Sequence, residues 1–337
     1  MHTRPGATGV ELSVIVPIYD AVSTLSPCLE VLVASIGPHD EVIVVDDGST
    51  DGGIAVLDGA LSSRVRSLRS DTNIGRGPIR NIGARHATGN VLLFVDADVV
   101  VGAGTIEQVR KAFADHPERV ALIGSYDDHP AAPNLVSQYR NLLHHHTHHT
   151  HGAQASHFWT GLGAVRRDIF DAVGGFDEGR WARDMEDVEF GHRLVDAGHG
   201  IDVMPEIQGT HLKRYSVGSM VESDLVHRAI PWSRLILQSH LRSDRFVTSW
   251  PQRLSAGSVV AMSAAAFGIT CDRRAWAALL AASASFLLVN LSLWRFLTRV
   301  RSLPFALASV PLHLLHSGST VVGFAAALAR PHPPRSR

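Results

Sequence analysis

The sequence contains little cysteine and almost no net charge, and both shortages narrow the classes of protein that it can encode. Its 337 residues include two cysteines, Cys28 and Cys271, which are far apart and match no metal-ligand spacing. We therefore expect no disulfide and no cysteine-ligated metal, as is typical of a reducing compartment. The 31 basic residues are balanced by 32 acidic ones. This balance disfavours a general nucleic-acid-binding protein, which needs a basic face.

The start of the chain also lacks two informative features. Residues 1–9 are polar, and no apolar run occurs before Glu11. We therefore expect a disordered N-terminus at 1–10 without a cleaved signal peptide, followed by a domain that stays in the cytosol. The turn after the first predicted strand, PIYDAVSTL, has no glycine. A nicotinamide-dependent oxidoreductase needs a glycine-rich turn at this point, so that class is disfavoured.

Short β-branched runs alternate with helical patterns in the first half of the chain. The runs predict buried strands at 12–17, 41–45, 65–69 and 91–95. Helices are predicted at 21–35, 54–62, 81–87, 105–114 and 184–197, with Thr105 capping the fourth and Gly198 ending the last. This order predicts an α/β fold, a doubly wound sheet with helices on both faces.

Polar side chains, most of them acidic, follow three of these strands where each strand ends. They are Tyr19 and Asp20, then Asp46 and Asp47, then Asp96 and Asp98. In open α/β sheets, ligands bind outside the carboxyl ends of the strands. A carboxylate pair there can accept hydrogen bonds from a nucleoside or serve a hard divalent cation. Turns and helix caps also favour aspartate, so each pair alone is ambiguous.

Two acids begin the predicted helix 184–197. Glu186 or Asp187 could be a general base that removes a proton from an acceptor hydroxyl. Acids in a first helical turn also stabilise the helix dipole, which is an equally simple explanation. The buried stripe of this helix is expected to contain Val188, Leu194 and Val195.

Three more features, between Asp98 and the C-terminal third of the chain, each have two interpretations. Trp159 could stack on a ligand or be an ordinary core aromatic. His211 is either a metal ligand or a structural histidine. The histidine-rich stretch 144–151 is predicted to be a mobile acceptor-side loop rather than a metal site, since such tracts are compositional signals only.

The C-terminal third contains three uncharged stretches, 254–271, 275–294 and 304–329. A bilayer span needs about 20 apolar residues, so we predict a membrane region of two or three helices at 254–329 and favour it over a buried helical core. An interfacial linker at 226–253 would precede it, and a basic tail at 330–337 would follow.

The motifs VIVPIYD, VIVVDDGSTDG, NIGRGPIRNIGARHATGNVLLFVDAD, FWTGLGAVRRDIFDAVGGFDE and EDVEFGHRL occur in this order. Together they resemble the family 2 glycosyltransferases over roughly residues 12–215, within a predicted domain at 11–225. The resemblance implies a GT-A fold with a mixed sheet. It also implies inverting transfer of a sugar from a nucleotide-diphosphate-sugar donor to a hydroxyl or phosphate acceptor, with Mn²⁺ or Mg²⁺ as cofactor.

The resemblance also implies roles for individual residues. Asp187 would be the catalytic base, supported by Glu186. Donor-binding residues would be Pro17, Tyr19, Asp46, Asp47, Arg80 and Asp96; metal ligands would be Asp98, Asp96 and His211; the acceptor and sugar pocket would contain Trp159, Gly161 and Arg214.

The family's processive synthases carry a Gln-x-x-Arg-Trp motif that this chain lacks, so we expect one sugar per turnover. The predicted anchor favours a membrane lipid or lipid-linked acceptor at the cytoplasmic membrane, with the catalytic domain facing the cytosol. The alternative is an inactive membrane scaffold that keeps the GT-A fold.

Overall fold

Two units make up the part of the chain that the computed structural model describes, which is residues 9–53, 55, 64–150, 152–239 and 250–329. The first unit is drawn from Met1–Ala131 and His148–Lys213, and the second from Ala132–Thr147 and Arg214–Arg337. The predicted domain boundary is at residue 225, whereas the contacts begin the second unit at Arg214 and add residues 132–147 to it.

The first unit is built on one mixed sheet. Its described strands are β1 (Leu12–Ile18), β2 (Glu41–Asp46), β3 (Val65–Arg69), β4 (Val91–Val95), β5 (Val99–Val101), β6 (Ala121–Tyr126), β7 (Gln154–Ala155), β8 (Leu162–Arg166) and β9 (Ile201–His211). Their order is β3-β2-β1-β4-β8-β6-β9-β5, with β7 paired to β9. The first four of this order are mutually parallel, while β8 runs antiparallel to β4 and β6.

Helices cover both faces of this sheet, as predicted. The described helices of the first unit are α1 (Val22–Ser35), α2 (Arg76–His86), α3 (Thr105–Asp115), α5 (Arg167–Ala172) and α6 (Glu186–Asp196), while most of α4 (Leu135–Thr150) belongs to the second unit. On one face, Val14 and Val16 join a core cluster with residues of α1 and α3. On the other, α2 lies so close to β1 that a Cβ on Gly83 would be 2.6 Å from Ile15 Cγ2.

The predicted strands agree with the observed ones to within one residue, but three details of the helices differ. Helix α2 begins at Arg76 rather than at residue 81, because Pro78 lies in the first turn, where no N–H donor is needed. Thr105 does not cap α3; Gly104 precedes the helix, and the Thr105 hydroxyl donates to the Gln208 carbonyl at 2.7 Å. Val195 is 39% exposed, so it is outside the buried stripe of α6.

The histidine-rich stretch is not a loop, and that prediction was wrong. Residues up to Thr150 continue helix α4, in which no glycine or proline interrupts the helical run. His145 is buried and stacks on Phe296 within the second unit, at 5.4 Å between ring centroids. His148 is buried in the first unit. Imidazole rings pack well against aromatic neighbours, which a count of polar residues does not reveal. The helix predicted at 54–62 lies outside the described residues.

The second unit is helical. It contains α7 (Val217–Asp224), a π-helical turn (Leu225–Ala229), α8 (Ile230–Ser239), α9 (Trp250–Gly268), α10 (Ala275–Val289), α11 (Leu291–Val300) and α12 (Leu303–Ala329). Among the described residues, α12 is long and apolar enough to cross a membrane. The pair α10 and α11, bent by 59°, would be a second such segment if it forms one span.

A polar cluster lies inside this second unit. Asp224 of α7 pairs with Arg140 Nη2 at 2.7 Å and with His316 Nδ1 at 2.8 Å. Burial alone would raise the pKa of Asp224, but the charges of Arg140 and His316 outweigh it and hold that pKa below its ordinary value. Asp224 and Arg140 are both buried, so this pair fixes how α4 and α7 meet within the unit.

Candidate active site

The parallel strands β1, β2 and β4 deliver their carboxyl ends to one edge of the sheet, where the predicted acids lie. Asp46 is the last residue of β2 and is fully buried. Its Oδ1 accepts a hydrogen bond from Ser49 N at 2.9 Å, and its Oδ2 lies 3.4 Å from Arg69 Nε. Gly48 turns the chain after it with φ of +76°, where a Cβ would come within 2.9 Å of the Thr72 backbone.

Asp47 holds the loop that leads into α2 through two hydrogen bonds. Its two carboxylate oxygens accept hydrogen bonds from Ile74 N at 2.7 Å and from Gly75 N at 3.0 Å. Burial raises the pKa of Asp47 even though these two donors oppose the rise. Asp47 therefore positions the start of α2 beside the carboxyl end of β2.

The loop after β1 is tied to the loop after β2. Pro17 is within β1, and Tyr19 is 52% exposed just beyond it. Asp20, with φ of 48°, accepts a hydrogen bond from Thr50 N at 2.8 Å, and its own N–H donates to Ser49 Oγ at 3.0 Å. These bonds hold the loop that carries Tyr19 against the loop that follows Asp46 and Asp47.

Arg80 of α2 joins two of the predicted acids. Its Nη2 donates to Asp96 Oδ1 at 2.7 Å and its Nη1 to Glu186 Oε1 at 2.6 Å. The guanidinium is buried, which would lower the pKa of Arg80, but the charges of Asp96 and Glu186 outweigh burial and raise it. The end of β4 and the start of α6 are thus held together by one cation.

The two acids at the start of α6 have different surroundings. Glu186 is buried, and burial, followed by the charge of Asp187, raises the pKa of Glu186 to about 7 against the opposing charge of Arg80. Asp187 is partly exposed and accepts hydrogen bonds from Val188 N at 2.8 Å and from Thr160 Oγ1 at 3.4 Å. Of the two acids, Asp187 is therefore the one open to a substrate.

Asp98 and His211 are brought together by strand register. In the antiparallel pair of β5 and β9, Val99 lies opposite His211, and Leu212 N donates to the Asp98 carbonyl at 2.8 Å. The side chains follow, with Asp98 Oδ2 at 3.3 Å from His211 Nε2. Burial would raise the pKa of Asp98, but the hydrogen bond and charge of His211 lower it.

This pair fits the ligand chemistry of a divalent cation. Two ligands at right angles around Mn²⁺ or Mg²⁺, each about 2.1 Å from the ion, are about 3 Å apart, close to the observed 3.3 Å. No group of three or more candidate ligands occurs among the described residues. The described residues therefore offer Asp98 and His211 as a pair, and water or a phosphate would supply the other ligands.

The residues predicted for the acceptor pocket are found in both units. Trp159 is partly exposed, and its ring covers Gly161 so closely that a Cβ there would be 2.5 Å from the indole. Gly161 O accepts a hydrogen bond from Asp96 N at 3.4 Å, which places this turn at the acidic edge. Arg214 is exposed and begins the second unit.

Sequence reasoning missed several residues that shape the site. Thr160 touches Asp187, and Tyr126 at the end of β6 stacks on His211. The apolar run ALIGSY was a usable signal for β6, but the contact itself depends on strand order. Cys28 lies under the site, 3.8 Å from the Asp96 carbonyl. Burial, followed by the charges of Asp98 and Asp96, raises the pKa of its thiol to about 12, so it is not a nucleophile.

The mixed sheet gathers acidic side chains at the carboxyl ends of its parallel strands, and this arrangement is that of a GT-A fold. Residues 13–174, just under half of the chain, match the family described as glycosyl transferase family 2. No curated protein matches the chain in sequence.

Two solved structures share the fold. Mannosyltransferase PcManGT from Pyrobaculum calidifontis, in complex with GDP-Man and Mn²⁺, is 21% identical with a TM-score of 0.58, over 90% of this chain and 86% of its own. S. aureus TarS 1–349, in complex with UDP-GlcNAc, is 20% identical with a TM-score of 0.51, over 93% of this chain and 89% of its own.

Proposed function

We propose that this chain transfers one sugar per turnover, with inversion, from a nucleotide-diphosphate-sugar donor to a hydroxyl or phosphate acceptor at a membrane. The observation that carries the proposal is the bridge of Arg80 between Asp96 and Glu186. It joins Asp96 at the end of β4 to the acids at the start of α6. The bound GDP-Man and UDP-GlcNAc of the two similar structures support a nucleotide-sugar donor.

Asp187 is the catalytic base in this proposal. It accepts the acceptor proton while the acceptor oxygen bonds to the anomeric carbon and the bond from that carbon to the diphosphate oxygen breaks. Glu186 supports it by holding Arg80 at the start of α6. A single in-line displacement needs no covalent enzyme intermediate and inverts the anomeric configuration.

The other residues bind and orient the substrates. Asp46, Asp47, Pro17 and Tyr19 lie on the nucleoside side, while Arg80 and Asp96 lie between donor and base. Asp98 and His211 would hold Mn²⁺ or Mg²⁺, which would neutralise the departing diphosphate when bound. The Mn²⁺ bound to PcManGT supports this cofactor. Trp159, Gly161 and Arg214 belong to the sugar and acceptor side.

The second unit supports a membrane location. Large apolar side chains are exposed on α9, α10 and α12, among them Phe267 at 78%, Leu280 at 69% and Leu307 at 62%. A lipid bilayer would cover such surfaces. We infer a location at the cytoplasmic membrane with the GT-A unit facing the cytosol, and an acceptor that is lipid-linked or close to the membrane.

The test is nucleotide binding and donor turnover by the full detergent-solubilised chain, first with a panel of nucleotide sugars and Mn²⁺. Asp98→Asn should abolish the Mn²⁺-dependent part of donor binding measured by calorimetry, while Asp115→Asn, exposed at the end of α3, should leave it unchanged. If Asp98→Asn and Asp115→Asn bind the donor equally well in the presence of Mn²⁺, Asp98 is not a metal ligand. Binding without hydrolysis or transfer of any donor would favour the inactive scaffold.

A further inference from the structure

Tyr126 lies between the proposed metal ligand and the proposed sugar-stacking residue. Its ring is parallel to the His211 imidazole, with 4.3 Å between centroids and 6° between planes. Its other contact is an edge-to-face approach to Trp159, at 4.9 Å and 86°. Tyr126 is buried, so this ring is part of the interior rather than a surface group.

Strand pairing fixes the backbone that presents these rings. Tyr126 ends β6 and lies opposite Gly209 in the parallel pair with β9, so it is beside the end of the strand that carries His211. Asp127 N donates to the Gly209 carbonyl at 3.0 Å just beyond it. Hydrogen bonds therefore set the backbone positions of Tyr126 and His211. These bonds do not set the orientation of the His211 imidazole plane.

The stacked ring of Tyr126 fixes the orientation of the His211 imidazole plane. The terminal torsion of histidine is broad, so an unsupported imidazole samples many planes. The Tyr126 ring holds the imidazole in the plane in which His211 Nε2 faces Asp98 Oδ2 at 3.3 Å. An imidazole that binds a divalent cation gains positive charge, and the face of an aromatic ring favours such a neighbour.

The same ring supports the indole. Trp159 is held at its edge by Tyr126, and on another side by His148, at 5.0 Å and 76°. His148 is itself fixed, because its Nδ1 donates to the Gly124 carbonyl at 2.7 Å. This assigns a role to part of the histidine-rich stretch that the proposed reaction leaves unused.

We propose that Tyr126 is a positioning residue that orients His211 for the divalent cation and holds Trp159 against the sugar. This inference rests on the proposed function. It assigns the role to the aromatic ring of Tyr126, whose face and edge make the contacts to these two neighbours.

The experiment measures Mn²⁺ affinity by electron paramagnetic resonance, on the full chain, in separate titrations with GDP and with UDP present. Tyr126→Phe should bind Mn²⁺ within about twofold of the wild type. Tyr126→Leu and Tyr126→Met, which lack the ring, should bind roughly tenfold more weakly, as is usual when the support of a metal-ligating histidine is lost. The KM for the sugar donor should rise in the same two variants.

Phe113→Leu is the matched control, since it removes a buried ring from α3 that lies under the Arg166 guanidinium at 5.4 Å. It should leave Mn²⁺ affinity unchanged despite lower stability. Wild-type affinity in folded Tyr126→Leu or Tyr126→Met would overturn the inference, provided that Asp98→Asn loses binding in the same assay. If Asp98→Asn also binds normally, the proposed function fails instead.

Discussion

Arg80 and Glu186 are 106 residues apart in the sequence and form an ion pair of 2.6 Å in the interior of the first unit. Because Arg80 also binds Asp96 at 2.7 Å, the acids after β4 and at the start of α6 share one cation. Desolvation makes such a pair costly to form, and removing one partner leaves the other charge buried. The bridge therefore acts on both stability and the geometry of the base.

Replacing Arg80 should damage both properties. Arg80→Met leaves Glu186 buried without its cation, and we expect a loss of about 3–5 kcal/mol in unfolding free energy together with loss of transfer. Arg80→Lys should recover only part of either, because an ammonium group cannot reach two carboxylates in the same fork. Denaturant unfolding and a transfer assay measure these effects.

The control for this series is Arg85→Met, on the same helix. Arg85 pairs with Glu178 at 3.0 Å, but both side chains are more than half exposed. Exposed pairs contribute about 0–1 kcal/mol, so stability and transfer should stay near wild type. Equal stability of the Arg80 and Arg85 variants would contradict the bridging role.

Asp187→Asn should separate chemistry from binding. The amide keeps the size of the side chain but cannot accept the acceptor proton, so we expect transfer to fall about 10²- to 10⁴-fold. Donor affinity should remain within a few fold, because the proposed donor contacts lie on other residues. Calorimetry and steady-state kinetics measure the two quantities. Asp196→Asn, exposed at the other end of α6, is the control, and normal transfer by Asp187→Asn would assign the base elsewhere.

The parallel half of the sheet and its acidic edge could be predicted from the sequence because both depend on local patterns. Continuous β-branched runs identify buried strands, and parallel strands align their carboxyl ends, so Asp46 and Asp96 were expected at one edge. No local pattern reveals that Val99 pairs with His211 or that Arg80 reaches Glu186. Those contacts depend on strand order and on helix placement, which are set by packing over long sequence separations.

In the second unit, too, local sequence patterns predict the segments but not the contacts between them. Uncharged stretches located α10 and α12, but the 59° bend between α10 and α11 could not be read from hydropathy. The pairing of Asp224 with Arg140 could not be read from hydropathy either. Helix α4, which carries Arg140, is separated in the sequence from the other helices of this unit by much of the first unit. Composition identifies apolar segments, whereas pairing between polar groups depends on which helix faces meet.

The Asp224–Arg140 pair predicts an acid-dependent stability. The folded-state pKa of Asp224 is below its ordinary value of 3.8, so its contribution is present above that pH and is lost as the pH falls through the lower folded value. Asp224→Asn should lower the unfolding temperature at pH 7, and the difference from wild type should shrink below about pH 4. Asp272→Asn, in an exposed turn of the same unit, should show no such pH-dependent difference. A constant gap between wild type and Asp224→Asn across this range would exclude the effect.

The exposed apolar side chains of α12 predict how the chain partitions between membrane and buffer. Leu307 is 62% exposed and Leu328 is 56% exposed, on the helix that is long and apolar enough to span a bilayer. A carboxylate in a membrane-spanning segment costs about 2.5–3.5 kcal/mol near its centre and less toward the ends. Leu307→Asp/Leu328→Asp should therefore shift protein from the carbonate-resistant membrane fraction to the supernatant. Val195→Asp, an exposed position in the first unit, should sediment like wild type. If the double variant stays in the membrane fraction as completely as Val195→Asp, then lipid does not cover this face of α12, and the anchor must be sought in α9 and α10.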